Sequence, residues 1–137
     1  MRFKLPKKAF EELKELVKRR DKELAYIYKK YIEEDPPYQN IEIHHHKHVG
    51  NFGADKEDNL ISLSWNYHRL KCHGLSWEIK KEADRRVEDY LTCPAVKTWR
   101  EKHTEELKAI YAKENAYREK TLQKKHKVNK RYPWAKY

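Results

Sequence analysis

The sequence predicts an α+β fold that is mostly helical, with one short strand–loop–strand–helix unit set among long helices. Three observations carry the prediction. Lys, Glu and Leu are plentiful while Gly (3) and Pro (5) are scarce among 137 residues, a composition that favours helix over a sheet-rich sandwich. Apolar residues recur at three- and four-residue spacings on both sides of the chain's middle, the period of an amphipathic helix. The middle, about residues 41–74, breaks that period and holds all three glycines, Gly50, Gly53 and Gly74.

Residues 6–34 read as one amphipathic helix. Pro6 suits its first turn, and Phe10, Leu13, Val17, Leu24, Ile27 and Tyr31 form its apolar stripe, which Arg20 interrupts. Asp35-Pro36-Pro37 ends it, because the residue before a proline is driven out of helical geometry. Ile41 and Ile43 then alternate with Glu42 and His44, as in a short strand with one buried face. A loop with Gly50 and Gly53 leads to a returning strand, Leu60-Ile61-Ser62-Leu63. Ser64 is placed to cap a short helix over about 65–73 that Gly74 stops. The pattern from 76 to 117 is helical again, broken at Thr92-Cys93-Pro94. Its two stripes are Trp77, Ala83, Val87 and Tyr90/Leu91, then Val96, Trp99, His103, Leu107 and Ile110/Tyr111. The length is that of a single domain.

The net charge of +10 is unevenly spread. Residues 118–137 carry eight Lys/Arg against one acid, Glu119, a net +7, while the remaining residues carry 24 basic and 21 acidic, a net +3. A basic tail on a nearly balanced body implies a polyanionic partner, nucleic acid first. Two cysteines, Cys72 and Cys93, form neither a disulfide framework nor a CxxC pair. The first residues contain no apolar stretch of signal-peptide length, and no apolar run approaches membrane-spanning length. A soluble, cytoplasmic protein is expected.

Six of the eight histidines (44, 45, 46, 48, 68 and 73) fall within the glycine-bearing middle. Imidazoles serve as neutral metal ligands and as proton acceptors near neutral pH, so their concentration marks this segment as the functional one. His103 and His126, outside it, read as structural or solvated. The ordered set His44-His45, Gly53, Asp55, Asn59-Leu60, Leu63 and His68 resembles the HNH endonuclease family, the ββα-metal finger nucleases. Asn59 follows His45 by 14 positions and precedes His68 by nine, both normal for that family. The likeness covers about a quarter of the chain, and the flanking helices contribute nothing to it.

The resemblance implies a ββα-metal finger over about 41–74 and hydrolysis of DNA phosphodiesters with one divalent metal, leaving 5′-phosphate and 3′-hydroxyl ends. It implies His44 and His68 as metal ligands, His45 as general base, and Asn59 as the residue that fixes the loop and orients His45. A one-residue shift in register would make His46 the base. The third ligand is His73 if the last helical turn is loosened, or Cys72 if the helix is regular, because Cys72 lies one turn after His68. Imidazole suits zinc, nickel or manganese better than magnesium, yet family members often work with magnesium or manganese, so Mg²⁺, Mn²⁺, Ni²⁺ and Zn²⁺ all stay open. Arg69 and Lys71, and in the tail Lys124, Lys125, Lys127, Lys130 and Arg131, are the candidate nucleic-acid contacts. Small free-standing nucleases of this kind are similar to those of phages and mobile elements, which implies double-stranded DNA as partner, with a homodimer or a phage protein beside it. A ribonuclease and a non-enzymatic, zinc-stabilised DNA-binding module are the competing expectations. Structural zinc usually has four protein ligands, and the missing cysteine pairs count against the module.

Overall fold

In the computed structural model, residues 3–47, 53–73 and 76–114 are described. The architecture is mostly helical with one two-stranded antiparallel sheet, as expected. Five helices, α1 (Lys7–Glu23), α2 (Ala25–Ile32), α3 (Trp77–Leu91), α4 (Pro94–Lys102) and α5 (Thr104–Tyr111), surround strands β1 (Ile41–His45) and β2 (Leu60–Ser64). A 3-10 turn (Glu57–Asn59) leads into β2, and a π-helix (Tyr67–Cys72) follows it. Among the described residues no helix is long and apolar enough to cross a membrane. Gly50, His48, Gly74 and the basic tail with Lys124, Lys125, Lys127, Lys130 and Arg131 lie outside the described residues.

The single helix expected over residues 6–34 is two. Leu24 leaves helical geometry (φ −98°, ψ 30°) between α1 and α2. Two apolar clusters exist, and Leu24 packs against both. One joins Ala9, Leu13, Leu16 and Val17 of α1 to Leu60, Trp99, Leu107 and Ile110. The other joins Tyr28 and Ile32 of α2 to Ile61, Leu63, Tyr67, Val87 and Tyr90. A straight helix could not address both, and the bend resets the phase of the stripe. Tyr28 and Ile32 are therefore the buried residues of α2, while Ile27 and Tyr31 of the expected stripe are only half-buried. Glu33 then takes left-handed geometry (φ 66°) and closes α2, its N–H donating to the Lys29 carbonyl.

The C-terminal half divides as well, beyond the expected break at Pro94. Ser76 caps α3 by accepting from the Ile79 N–H at 3.2 Å, and Pro94 opens α4 in its first turn. His103 interrupts the last stripe by stacking on Trp99 (centroids 4.0 Å apart) while its Nδ1 meets the Trp99 carbonyl at 2.8 Å. Thr104 Oγ1 donates to the Arg100 carbonyl. Side chains that capture helix carbonyls compete with the ladder, and His103 leaves helical geometry (φ −109°, ψ 19°) between α4 and α5.

β2 lies between the two clusters: Leu60 belongs to one, Ile61 and Leu63 to the other. The pairing sets Ile41 opposite Ser64, Glu42 opposite Leu63, Ile43 opposite Ser62, His44 opposite Ile61 and His45 opposite Leu60. Strand alternation then puts Glu42, His44, Ile61 and Leu63 on one face and Ile43, His45, Leu60 and Ser62 on the other. The buried face of β1 is not the one expected. His44 is buried at 4% exposure while Ile41 and Ile43 are half-covered, because the π-helix closes over the His44 side.

Side chains of α1 and α2 complete the outer edge of β2. Arg20 Nη2 donates to the Leu60 carbonyl (2.7 Å), Asp21 Oδ2 accepts from the Ser62 N–H (2.8 Å), and Tyr28 Oη donates to the Ser62 carbonyl (2.6 Å). Backbone groups that a third strand would pair are thus satisfied. Arg20, Asp21 and Glu57 are all fully buried. Arg20 holds Asp21 at 2.9 Å and both the Glu57 carboxylate (2.6 Å) and carbonyl (2.8 Å). Arg100 adds a second cation to Glu57. The apparent flaw in the α1 stripe is therefore the tie between α1 and the turn that carries Asn59. Removing one partner of a buried ion pair costs about 3–5 kcal/mol, because the other charge is left uncompensated. Arg20→Ala should destabilise the chain by that order, measured by urea denaturation followed by circular dichroism. A loss below about 1 kcal/mol would mean that the network is not fully desolvated.

Candidate metal centre

His44, His68 and His73 converge. One ligand atom from each can be chosen so that all lie within 4.8 Å of one another, close enough to bind a metal ion. Ring centroids are 4.9 Å apart for His44–His68, 5.8 Å for His44–His73 and 4.7 Å for His68–His73. The Nε2 atoms of His68 and His73 lie 3.0 Å apart. Two nitrogens on one tetrahedral zinc, with bonds of about 2.0–2.1 Å, would stand about 3.3 Å apart, so the spacing fits a shared ion with small adjustment.

The local sequence explains the convergence. Ser64 Oγ caps the turn after β2 by accepting from the Tyr67 N–H at 3.1 Å. The helix that follows is π-wound, and the His73 N–H donates to the His68 carbonyl at 3.1 Å, five residues back. In an α-helix the residue one turn after His68 on the same face is Cys72. Widening the turn by one residue passes that place to His73, and π-turns inside helices are frequent at functional sites. Cys72 instead faces the core at 1% exposure, and burial pushes its thiol up to about 12. Of the two candidates for third ligand, His73 therefore joins the cluster and Cys72 does not.

Glu42 backs the site. Its Oε1 meets His68 Nδ1 at 3.0 Å, which leaves Nε2 of that ring to face the other imidazoles. The hydrogen bond from His68, then that from Arg69, holds the Glu42 carboxyl below the usual carboxylate range. A carboxylate behind a ligating histidine fixes the ring's tautomer and raises its basicity. Sequence reasoning gave Glu42 no role. The available signal was its place two residues before His44, hence on the same strand face.

His45 faces the other way. Its ring stacks on Phe10 of α1 (centroids 5.7 Å, planes at 26°) and its Nε2 meets Asp55 Oδ1 at 2.9 Å. Asp55 is buried and is itself held by the Leu5 N–H at 3.0 Å. His46 extends the ladder, its N–H donating to the Asn59 carbonyl at 2.8 Å, and its Nε2 meets Glu88 of α3 at 2.5 Å. Each candidate base thus has a carboxylate partner. Neither carboxylate was singled out for that task, although Asp55 stood in the matched loop.

Asn59 is buried and clips the loop at both ends. Its Oδ1 accepts from the Lys47 N–H at 2.9 Å and its Nδ2 donates to the Ala54 carbonyl at 3.0 Å. The expected loop-fixing contacts are present. The polar partner of the His45 ring is Asp55, so any orientation of His45 by Asn59 runs through the loop. Arg69 reaches Glu42 at 3.4 Å, and Lys71 reaches Glu34 at 3.8 Å and lies over the Tyr67 ring. Both are half-exposed at the surface.

Comparison with protein-family models, with curated proteins and with solved structures finds no match to this chain. Among the described residues the cluster is three imidazoles.

Proposed function

We propose that the chain is a metal-dependent endonuclease of the HNH type that hydrolyses DNA phosphodiesters. The observation that carries the proposal is the three-imidazole cluster of His44, His68 and His73, built on a strand–strand–helix unit and backed by Glu42. These residues would hold one divalent ion, which when bound supplies Lewis-acid stabilisation of the charge developing on the phosphate and the leaving oxygen. An all-imidazole set favours zinc, nickel or manganese over magnesium. His45 acts as general base. Asp55 occupies its Nε2, so Nδ1 is the atom that takes the proton from the attacking water, and the buried carboxylate stabilises the imidazolium that results. Attack at phosphorus breaks the bond to the 3′ oxygen and leaves a 5′-phosphate and a 3′-hydroxyl.

One observation favours a second assignment of the base. Continued alternation puts His46 on the His44 face of the hairpin, with Glu88 as its partner, whereas His45 lies on the opposite face. In that arrangement His46 performs the proton transfer and the His45–Asp55 pair anchors β1 to the N-terminal segment.

Asn59→Ala should lower turnover strongly while changing metal affinity little, because the residue clips the loop and supplies no ring to the cluster. Steady-state cleavage alongside metal titration of the same variant checks this. Wild-type turnover would remove Asn59 from the machinery. The proposal itself is tested by incubating plasmid DNA with the protein in EDTA and after adding Mg²⁺, Mn²⁺, Ni²⁺ or Zn²⁺, with RNA in parallel. Nicking or linearisation that needs a metal supports it. Cleavage of RNA alone makes the chain a ribonuclease, and metal-dependent binding without cleavage makes it a DNA-binding module.

A further inference from the structure

A cavity of about 620 Å³ opens beside the far end of the hairpin from His45, walled by Gln39, Asn40, Glu42, Ser64, Trp65 and Asn66. Its composition is unlike that of the metal centre. Trp65 leaves 52% of its surface exposed. The residues that bear its amides, Gln39, Asn40 and Asn66, are exposed to solvent. Asn40 holds a left-handed backbone, φ 50°, a conformation asparagine adopts more readily than most residues with a side chain. Glu42 is a wall common to both sites, since the same side chain lines the cavity and holds His68. The cavity therefore abuts the back of the metal centre.

We propose that this cavity takes an unstacked nucleobase of the substrate strand close to the scissile phosphate. The inference rests on the nuclease reading above and adds to it a base-binding subsite. A nucleobase offers a flat apolar face together with an edge of donors and acceptors. An exposed indole meets the first by stacking, and amides carry a donor and an acceptor side by side, the pairing that Asn and Gln use on adenine. A phosphate does not fit the same walls. The Glu42 carboxylate is among them, and the cation paired with it, Arg69, is engaged with it. A base in an intact duplex hides its pairing edge, so the occupant is a base in a single-stranded stretch or one turned out of the helix.

The test uses the full chain, metal-free in EDTA, with a fluorescently labelled single-stranded DNA oligonucleotide and an abasic oligomer of the same length, read by anisotropy. Trp65→Ala should weaken binding of the base-bearing oligonucleotide on the order of tenfold, and Trp65→Phe should restore most of it. Trp77→Ala, which removes another exposed indole outside the cavity, should leave affinity unchanged. Asn40→Gly, which tolerates the left-handed backbone, should alter the preference among homopolymer sequences. The abasic oligomer should bind more weakly and be indifferent to Trp65→Ala. Equal losses on both oligomers, unchanged affinity in Trp65→Ala, or no affinity of the wild type for the base-bearing strand would each overturn the proposal. No cleavage is needed for this readout. A chain that binds through Trp65 yet cuts nothing keeps the base site and loses the nuclease reading, while one that cuts but ignores Trp65→Ala does the reverse.

Discussion

His44→Ala and His68→Ala should each abolish metal-dependent cleavage and lose most of the affinity for Mn²⁺ or Zn²⁺ in calorimetric titration. Each variant removes one of three imidazoles whose ligand atoms lie within 4.8 Å of one another, and two remaining ligands cannot define a site. Losing a group behind a ligand typically costs about 10–100-fold in affinity or activity, so losing the ligand itself should exceed that. Glu42→Gln provides the graded comparison. It keeps the shape but withdraws the charge behind His68 Nδ1, and should fall within the 10–100-fold range. Leu70, on the exposed side of the π-helix, offers a control: Leu70→Ala should leave titration and cleavage intact. Unchanged metal affinity in both histidine variants would remove the site.

His45→Ala should reduce the cleavage rate by about 10²–10⁴-fold, the usual contribution of a positioned general base, with metal affinity close to wild type. The separation follows from geometry. His45 shares neither a face of β1 nor a ring contact with the cluster, and its partners are Phe10 and Asp55. Asp55→Asn should lower the rate less than His45→Ala, since the ring remains but loses its anionic partner. The opposite result, a near-normal rate in His45→Ala with an inactive His46→Ala, moves the base by one residue. The dyad that matters is then His46–Glu88, and His45–Asp55 becomes a structural anchor whose removal shows in thermal stability rather than in rate.

Much of this molecule was legible in its residues, for definite reasons. The hairpin and its capping serine were readable because strand alternation and N-capping are local effects, and Ser64 does accept from the Tyr67 N–H. His44 and His68 were named through the family resemblance, and His73 only as one of two candidates for the third place, and the three lie together. What separated His73 from Cys72 was not readable, because it depends on the π-winding of Tyr67–Cys72, and a helical wheel assumes α geometry. The division of the first helix at Leu24 was hidden for a related reason. Nothing local breaks the chain there, with neither glycine nor proline, and the bend serves two cores formed by residues far away in sequence. Arg20 looked like a flaw in a stripe because its partners, Glu57 and the carbonyl of Leu60, lie 37 and 40 residues ahead. The partners of His45 and His46 also depend on the fold: Asp55 lies across the loop, 10 residues on, and Glu88 comes from a helix beyond the π-turn, 42 residues on.

The most direct test of the metal centre is an anomalous difference map from crystals of the full chain grown with Zn²⁺ and measured at the zinc edge. The expected result is one peak within about 2.0–2.1 Å of a ring nitrogen from each of His44, His68 and His73, with the Glu42 carboxylate still on His68 Nδ1. A peak bound elsewhere, or none at this cluster in zinc-saturated crystals, would contradict the account.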